Sequence, residues 1–208
     1  MTTHLAEVVK ENITEFLSYV ETQKILAALP QEQQKLIAEL VPSVISVGGV
    51  QRVLQILLAE RISIRDMPTI LEGVQEAFAN SLKSVSLIVA HVRTRLSRQI
   101  SDSLTGPAGY LPVGVLSPEW EDTLLGALVG PPEDRQLALG PEKLRDFLER
   151  IRVVVDAAIH NGDKPVLLTG MQVRFHVHCI VDRLRMNVPV IAQAEVHRRV
   201  RVKVVGTI

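Results

Sequence analysis

Residues 165–194, PVLLTGMQVRFHVHCIVDRLRMNVPVIAQA, carry two short apolar runs on either side of a segment with helical spacing. Pro165 to Thr169 is a short apolar run of strand length. From Gly170 to Met186, Val173, Val177, Ile180, Val181 and Leu184 recur at helical spacing and predict an inward face. Val188 to Ala194 is apolar again and reads as a second strand. A strand, a helix and a strand in this order specify a parallel pair joined by a right-handed crossover.

The pattern extends upstream. Tyr110 to Leu116 reads as a strand. Ser117-Pro118-Glu119 is a helix start: a cap, a proline in the first turn, then an acid. Gly130-Pro131-Pro132 ends that helix, and a loop is expected to run to Gly140. Pro141 opens a longer helix with Leu144, Phe147, Leu148, Ile151, Val154, Val155 and Ile159 inward. Asn161-Gly162 stops it. Downstream, Arg199 to Val205 alternates bases with valines, as a strand does.

The first hundred residues are helical in pattern. Leu5, Val8, Val9, Ile13, Phe16, Leu17 and Val20 form one stripe, capped by Thr2 or Thr3. Further helices are expected over 21–29 and 31–40, ended by Pro30 and Pro42. Gly48-Gly49 marks the next start, before Val50, Val53, Leu54, Leu57 and Leu58. Ser63 and Asp66 suggest a capping box ahead of Met67, Ile70, Leu71, Val74 and Phe78, with Pro68 confined to the first turn. One helix over 83–101 closes this half, and Thr105-Gly106-Pro107-Ala108-Gly109 is the best boundary. The fold class is therefore α+β: an all-helical module, then a small α/β module with a mixed sheet containing a βαβ unit.

Composition narrows the function classes. The 208 residues hold 23 bases and 23 acids, 3% aromatics and one cysteine. Paired cysteines for a disulfide scaffold are missing. A basic surplus for nucleic acid or anionic membrane is missing too. No run is long and apolar enough to span a bilayer, and the N-terminus has no signal-peptide core. The chain reads as soluble and of a reducing compartment. The neutrality is uneven: 119–163 holds ten acids and five bases, and 164–208 holds eight bases and two acids. Opposed regions of this kind neutralise one another within a molecule or meet head to tail between copies.

Chemistry is sparse. His176, His178 and Cys179 lie too close in sequence on one helix to converge on a metal or as a nucleophile and base. His178 is expected on a solvated face with Arg174, Asp182 and Arg185. Thr169-Gly170 reads as a threonine cap, and the Lys-Ser/Thr of a phosphate loop is missing. Glu119 and Asp122 suit a helix first turn. Alternation places Arg199, Arg201 and Lys203 on one face of the last strand, either against an acidic partner or as charges protecting a sheet edge. No catalytic, cofactor-binding or metal-binding residue is assigned, and no cofactor is expected.

An ordered set of segments resembles a known family. It comprises Thr3-His4-Leu5-Ala6-Glu7-Val8-Val9-Lys10-Glu11-Asn12, Leu54 to Glu60, Ser63-Ile64-Arg65-Asp66-Met67, Thr69 to Glu72, His91-Val92-Arg93, Pro165 to Thr169 and Val188-Pro189-Val190-Ile191. The chain resembles the cytosolic C-terminal region of the FlhA/SctV export-gate family of type III secretion, and its opening looks more flagellar than virulence-type. The resemblance implies a parent embedded in the bacterial inner membrane, with this region on the cytoplasmic face. It implies residues 1–29 as the tail of an upstream first subdomain, 30–105 as a helical subdomain and 106–208 as an α/β subdomain. It implies a nine-membered ring that docks export chaperone–cargo complexes and the export ATPase apparatus, without catalysis. Thr3 matches a threonine of the family's chaperone-binding dimple. Ser63, Ile64, Arg65 and Asp66 match the family signature and read as structural. Pro68 departs from the basic residue often found there. The competing reading is a nucleic-acid module using the basic tail or a helix-turn-helix after Ser63.

Overall fold

The computed structural model describes residues 13–131 and 134–208. The stripe before Ile13, the Thr2 or Thr3 cap and the Thr3 docking assignment lie outside the described residues. The chain divides into two compact units, 1–96 and 97–208.

The first unit is helical: α1 (Ile13–Phe16), α2 (Tyr19–Ala27), α3 (Gln31–Leu40), α4 (Val47–Ala59), α5 (Met67–Ala79) and α6 (Val85–Arg95). Side-chain oxygens of Ser18, Ser46, Asp66 and Ser84 each accept from a first-turn backbone N–H, which defines four of the starts. The predicted stripes supply the core: Val50, Val53, Leu54 and Leu57 of α4, Ile70, Leu71 and Val74 of α5, and Ile88, Val89 and Val92 of α6 are buried. α5 and α6 approach closely at Gly73, where an added Cβ would lie 3.3 Å from the Val92 Cα. The Gln51 amide donates to Leu17 O at 2.9 Å, and Gln55 donates to Thr14 O and Leu17 O, so α4 satisfies carbonyls at the end of α1.

The helix expected over 83–101 is two helices. α7 (Ser97–Leu104) belongs to the second unit, because buried Ser101 donates its hydroxyl to Glu195 O and accepts the His197 N–H. The contact division thus falls before α7, ahead of the Gly106-Pro107 turn at which the sequence suggests a boundary.

The second unit contains β1 (Leu111–Val115), α8 (Pro118–Gly126), β2 (Leu128–Val129), β3 (Gln136–Leu137), α9 (Pro141–His160), β4 (Val166–Thr169), α10 (Met171–Arg183), β5 (Val190–Ala192) and β6 (Val202–Thr207). The main sheet runs β5-β4-β1-β6 and is parallel throughout. The antiparallel pairing lies apart from a sheet expected to be mixed, in the β2–β3 hairpin, where a helix end and a loop are expected from the sequence. The strand–helix–strand reading holds, with α10 joining parallel β4 and β5. Trp120, Leu124, Phe147, Ile151, Val155, Leu167, Val173 and Val177 fill one core, with the Trp120 and Phe147 rings 5.0 Å apart. Gly114 and Gly206 pair across β1 and β6 beneath Val154, leaving room for its methyl groups.

Four expectations about faces and one about a strand end are corrected. Phe16 and Val20 of the first stripe are exposed rather than inward, because the helix breaks at Leu17-Ser18 and the phase is lost. Ile159 is 58% exposed and Ala158 is buried instead, since eleven residues after Phe147 return a helix to the same face and twelve overshoot it. Leu184 lies beyond the end of α10 and is exposed. β5 stops at Ala192, and Gln193–Glu195 turns into a 3₁₀ helix held by Glu195, whose carboxylate accepts the Ala192 N–H at 3.2 Å.

Candidate docking surfaces

The family-like signature sits at the entry to α5. Asp66, not Ser63, is the cap: its Oδ1 accepts the Thr69 N–H at 3.3 Å. Ser63 Oγ accepts the Arg65 N–H instead, so the expected capping box does not form. Pro68 stands in the first turn, where its missing N–H leaves no bond unmade. Ile64 is half-buried and Arg65 is exposed. Just before the signature, Glu60 caps the end of α4 and pairs with Arg93 of α6. These side chains are 5% and 2% exposed, so the pair is an internal clamp between α4 and α6. It joins two of the family-like segments, and sequence reasoning missed it because the partners are 33 residues apart.

The outer side of α5 and α6 displays alternating charge. Arg95 reaches Glu72 at 3.1 Å and Glu76 at 3.6 Å, and His91 Nε2 lies 3.0 Å from Glu76. Exposed pairs of this kind contribute little stability, but they hold a patterned surface on a rigid helix pair. An open depression of about 570 Å³ in the same unit is lined by Thr14, Glu15, Arg52, Gln55 and Ile56.

The basic tail divides on inspection. Arg199 lies in a turn closed by Val200 N–H to His197 O, ahead of the strand. Arg201 precedes β6, and its carbonyl accepts the Leu111 N–H. Lys203 lies in edge strand β6 and folds back: its ammonium donates to Asp163 at 2.9 Å and to the Tyr110 hydroxyl at 3.2 Å, while Tyr110 donates to Asp163 at 2.7 Å. The Lys203 and Tyr110 hydrogen bonds hold the Asp163 carboxyl below its ordinary value. The Asp163 bond, with Tyr110 second, raises the Lys203 ammonium. Arg199 and Arg201 are exposed, whereas Lys203 ties down the start of the edge strand.

On α10 the solvated-face reading fails for Arg174, which is 3% exposed with its Nε 3.8 Å from Glu195 Oε1. His178 and Cys179 are half-buried. His176 is held below its ordinary pKa by burial, with the Arg135 charge adding to the effect. Thr169 is not the cap of α10. Gly170 is, and the Thr169 hydroxyl turns to the Gly170 and Ile191 carbonyls. The Gly170 N–H donates to Glu121 of α8 at 2.6 Å, so the chain supplies its own carboxylate to the α10 N-terminus. Burial holds that carboxyl above its ordinary value, opposed by the Gly170 bond and reinforced by Asp122. Among the described residues, no three His, Cys, Asp or Glu side chains converge as metal ligands, and no helix is long and apolar enough to cross a membrane.

The FHIPEP family pattern matches residues 1–201. The chain belongs to the FHIPEP family. It is 47% identical over all 208 residues to the flagellar biosynthesis protein FlhA of Caulobacter vibrioides, and spans 30% of that relative's length. Its fold matches the Chlamydia pneumoniae CdsV protein with a TM-score of 0.89 at 27% identity, covering 99% of this chain and 59% of that one. In complex with CdsO, CdsV still matches at 0.82. The nonameric SctV-C of EPEC matches at 0.87, with 24% identity over 98% of this chain and 61% of that one, a likeness of fold. Glu60 and Arg93, the buried clamp of the helical unit, both lie in the family-like segments.

Proposed function

We propose that this chain is part of the cytosolic docking platform of a flagellar type III export gate. The observation that carries the reading is 47% identity to a flagellar biosynthesis protein over the full 208 residues. In this reading the platform binds export chaperone–cargo complexes and export ATPase apparatus components and performs no catalytic step. Its copies stand in a nine-membered ring at the cytoplasmic face of the inner membrane. The nonameric SctV-C and the CdsV–CdsO complex, both alike in fold, support the ring and the apparatus partner. Residues 1–29 complete a first subdomain, 30–105 form a helical one and 106–208 an α/β one. Thr3 contributes to chaperone docking. Ser63, Ile64, Arg65 and Asp66 shape the turn that sets α5.

The test is replacement. This chain is exchanged for the matching 208-residue stretch of the Caulobacter relative, and swimming and hook–filament assembly are scored. Restored motility is the expected result. A chimera that accumulates in the membrane, is proteolytically stable and assembles no filament contradicts the proposal.

A further inference from the structure

A parallel sheet brings every segment that precedes a strand to one end. In the second unit three such segments are cationic. Lys164 stands two residues before β4. Arg183 and Arg185 lie at the end of α10, leading to β5. Arg198, Arg199 and Arg201 lead into β6. All six are exposed. The register sets the strand starts level: Leu111 lies opposite Val202, Val113 opposite both Val204 and Val166, and Leu167 opposite Val190. The Asp163–Tyr110–Lys203 contacts bring the segments before β4 and β1 onto β6 at this end. Asp163 is thereby already paired, buried Glu195 lies beside Arg174, and exposed Asp182 is a further acid close to these cations in sequence.

Known structural roles cover only part of this charge. The α10 dipole accounts for a base in its last turn, Arg183. Edge protection accounts for charges beside β6, Arg201 above all. Neither accounts for Lys164 or Arg198. Three aliphatic side chains are exposed at the same end: Ile159 in the last turn of α9, Leu184 after α10 and Val202 at the start of β6, at 58%, 44% and 44%. Solvation alone would favour the charges and disfavour these three.

We infer that the amino end of the parallel sheet is a docking face for an acidic protein segment carrying aliphatic anchors. The cations steer and orient such a segment, and Ile159, Leu184 and Val202 give it apolar area to cover. A membrane surface is a poorer fit, since interfacial anchoring draws on Trp and Tyr and none of the exposed side chains named here is aromatic. Single-stranded nucleic acid would call for exposed stacking rings. The inference stands apart from the proposed export role.

The probe is a fluorescent amphipathic helical peptide of Glu and Leu, read by anisotropy against the purified chain. Controls are its Glu→Gln and Leu→Ser analogues. The acidic peptide is expected to bind about tenfold tighter than either analogue and to weaken with salt. The triple variant Arg198→Glu/Arg199→Glu/Arg201→Glu, the double variant Lys164→Glu/Arg183→Glu and the single variant Leu184→Ser should each weaken binding several-fold while melting like the parent. Two independent charge variants keep the test alive should one misfold. Equal binding of the Gln analogue, or parent-like binding by the folded variants, overturns the inference. So does tighter binding to polyuridine or phosphatidylglycerol vesicles. Self-association lost in the triple variant without peptide binding overturns it in favour of a second copy.

Discussion

Among the described residues, each unit buries an arginine–glutamate pair, and the two pairs do different jobs. In the helical unit Arg93 and Glu60 bridge α6 and the end of α4, elements with no shared backbone ladder. In the α/β unit the sheet register already fixes strand positions, and Arg174 with Glu195 secures the turn leaving β5. The helical unit therefore has apolar packing and its ion pair to set helix against helix, whereas the α/β unit also has hydrogen-bonded strands. A buried pair is weak evidence of net stability, but leaving one member unpaired is costly.

The largest effect should come from Arg93→Met, which removes the guanidinium paired with the buried Glu60 carboxylate. We expect a loss of about 3–5 kcal/mol in urea unfolding, mostly recovered in Arg93→Met/Glu60→Leu. Recovery failing in the double variant would assign Arg93 a role beyond the pair. Arg174→Met should lose less, about 2–3 kcal/mol, because Glu195 keeps the Ala192 N–H. An equal or larger loss there would erase the contrast between the units.

Two glycines sharpen the comparison next. A Cβ on Gly206 would lie 2.7 Å from Val154 Cγ1, and valine is stiff at χ1. Gly206→Ala should cost about 1–3 kcal/mol. On Gly73 the nearest atoms stand at 3.2 and 3.3 Å. There a helix-propensity gain of about 1 kcal/mol offsets the crowding, so Gly73→Ala should be close to neutral. Paired thermal melts decide both.

The smallest effects depend on pH. Glu121 has a raised native pKa, so its charging costs stability as pH climbs from the unfolded value of 4.5 through the native one. Glu121→Gln should melt higher than the parent at neutral pH, with the gap closing below pH 4.5. Asp163 and Lys203 behave oppositely. Their mutual stabilisation is present between the two titrations, lost as pH falls through the lowered Asp163 pKa and lost again as it rises through the raised Lys203 pKa. Asp163→Asn should flatten the acid side of that profile.

Local signals carried most of the fold. Ser117-Pro118 capped α8, Asn161-Gly162 closed α9, and the apolar stripes of α4, α5 and α6 were buried as spaced. Several misreadings come from a tertiary contact without a local signature. Arg174 looks like a surface residue until Glu195 is folded beside it. Thr169 looks like a cap until Glu121 occupies the helix end. The break at Leu96 has no glycine or proline, and the hydrogen bonds of Ser101 show which unit α7 joins. The β2–β3 strands are two residues each, below the length at which alternation registers. Of the candidate surfaces, the charges were legible along the chain. Their collection at one end of a sheet required the topology.

We propose that this chain docks export clients as part of a non-catalytic platform. The most direct measurement is calorimetric binding of purified flagellar chaperone–cargo complexes to the cytosolic part of the Caulobacter relative carrying this chain in place of its own matching stretch. We expect saturable binding that Thr3→Asp weakens while the melting temperature is unchanged. A folded chimera with no measurable heat of binding, beside a native Caulobacter protein that binds, would contradict it.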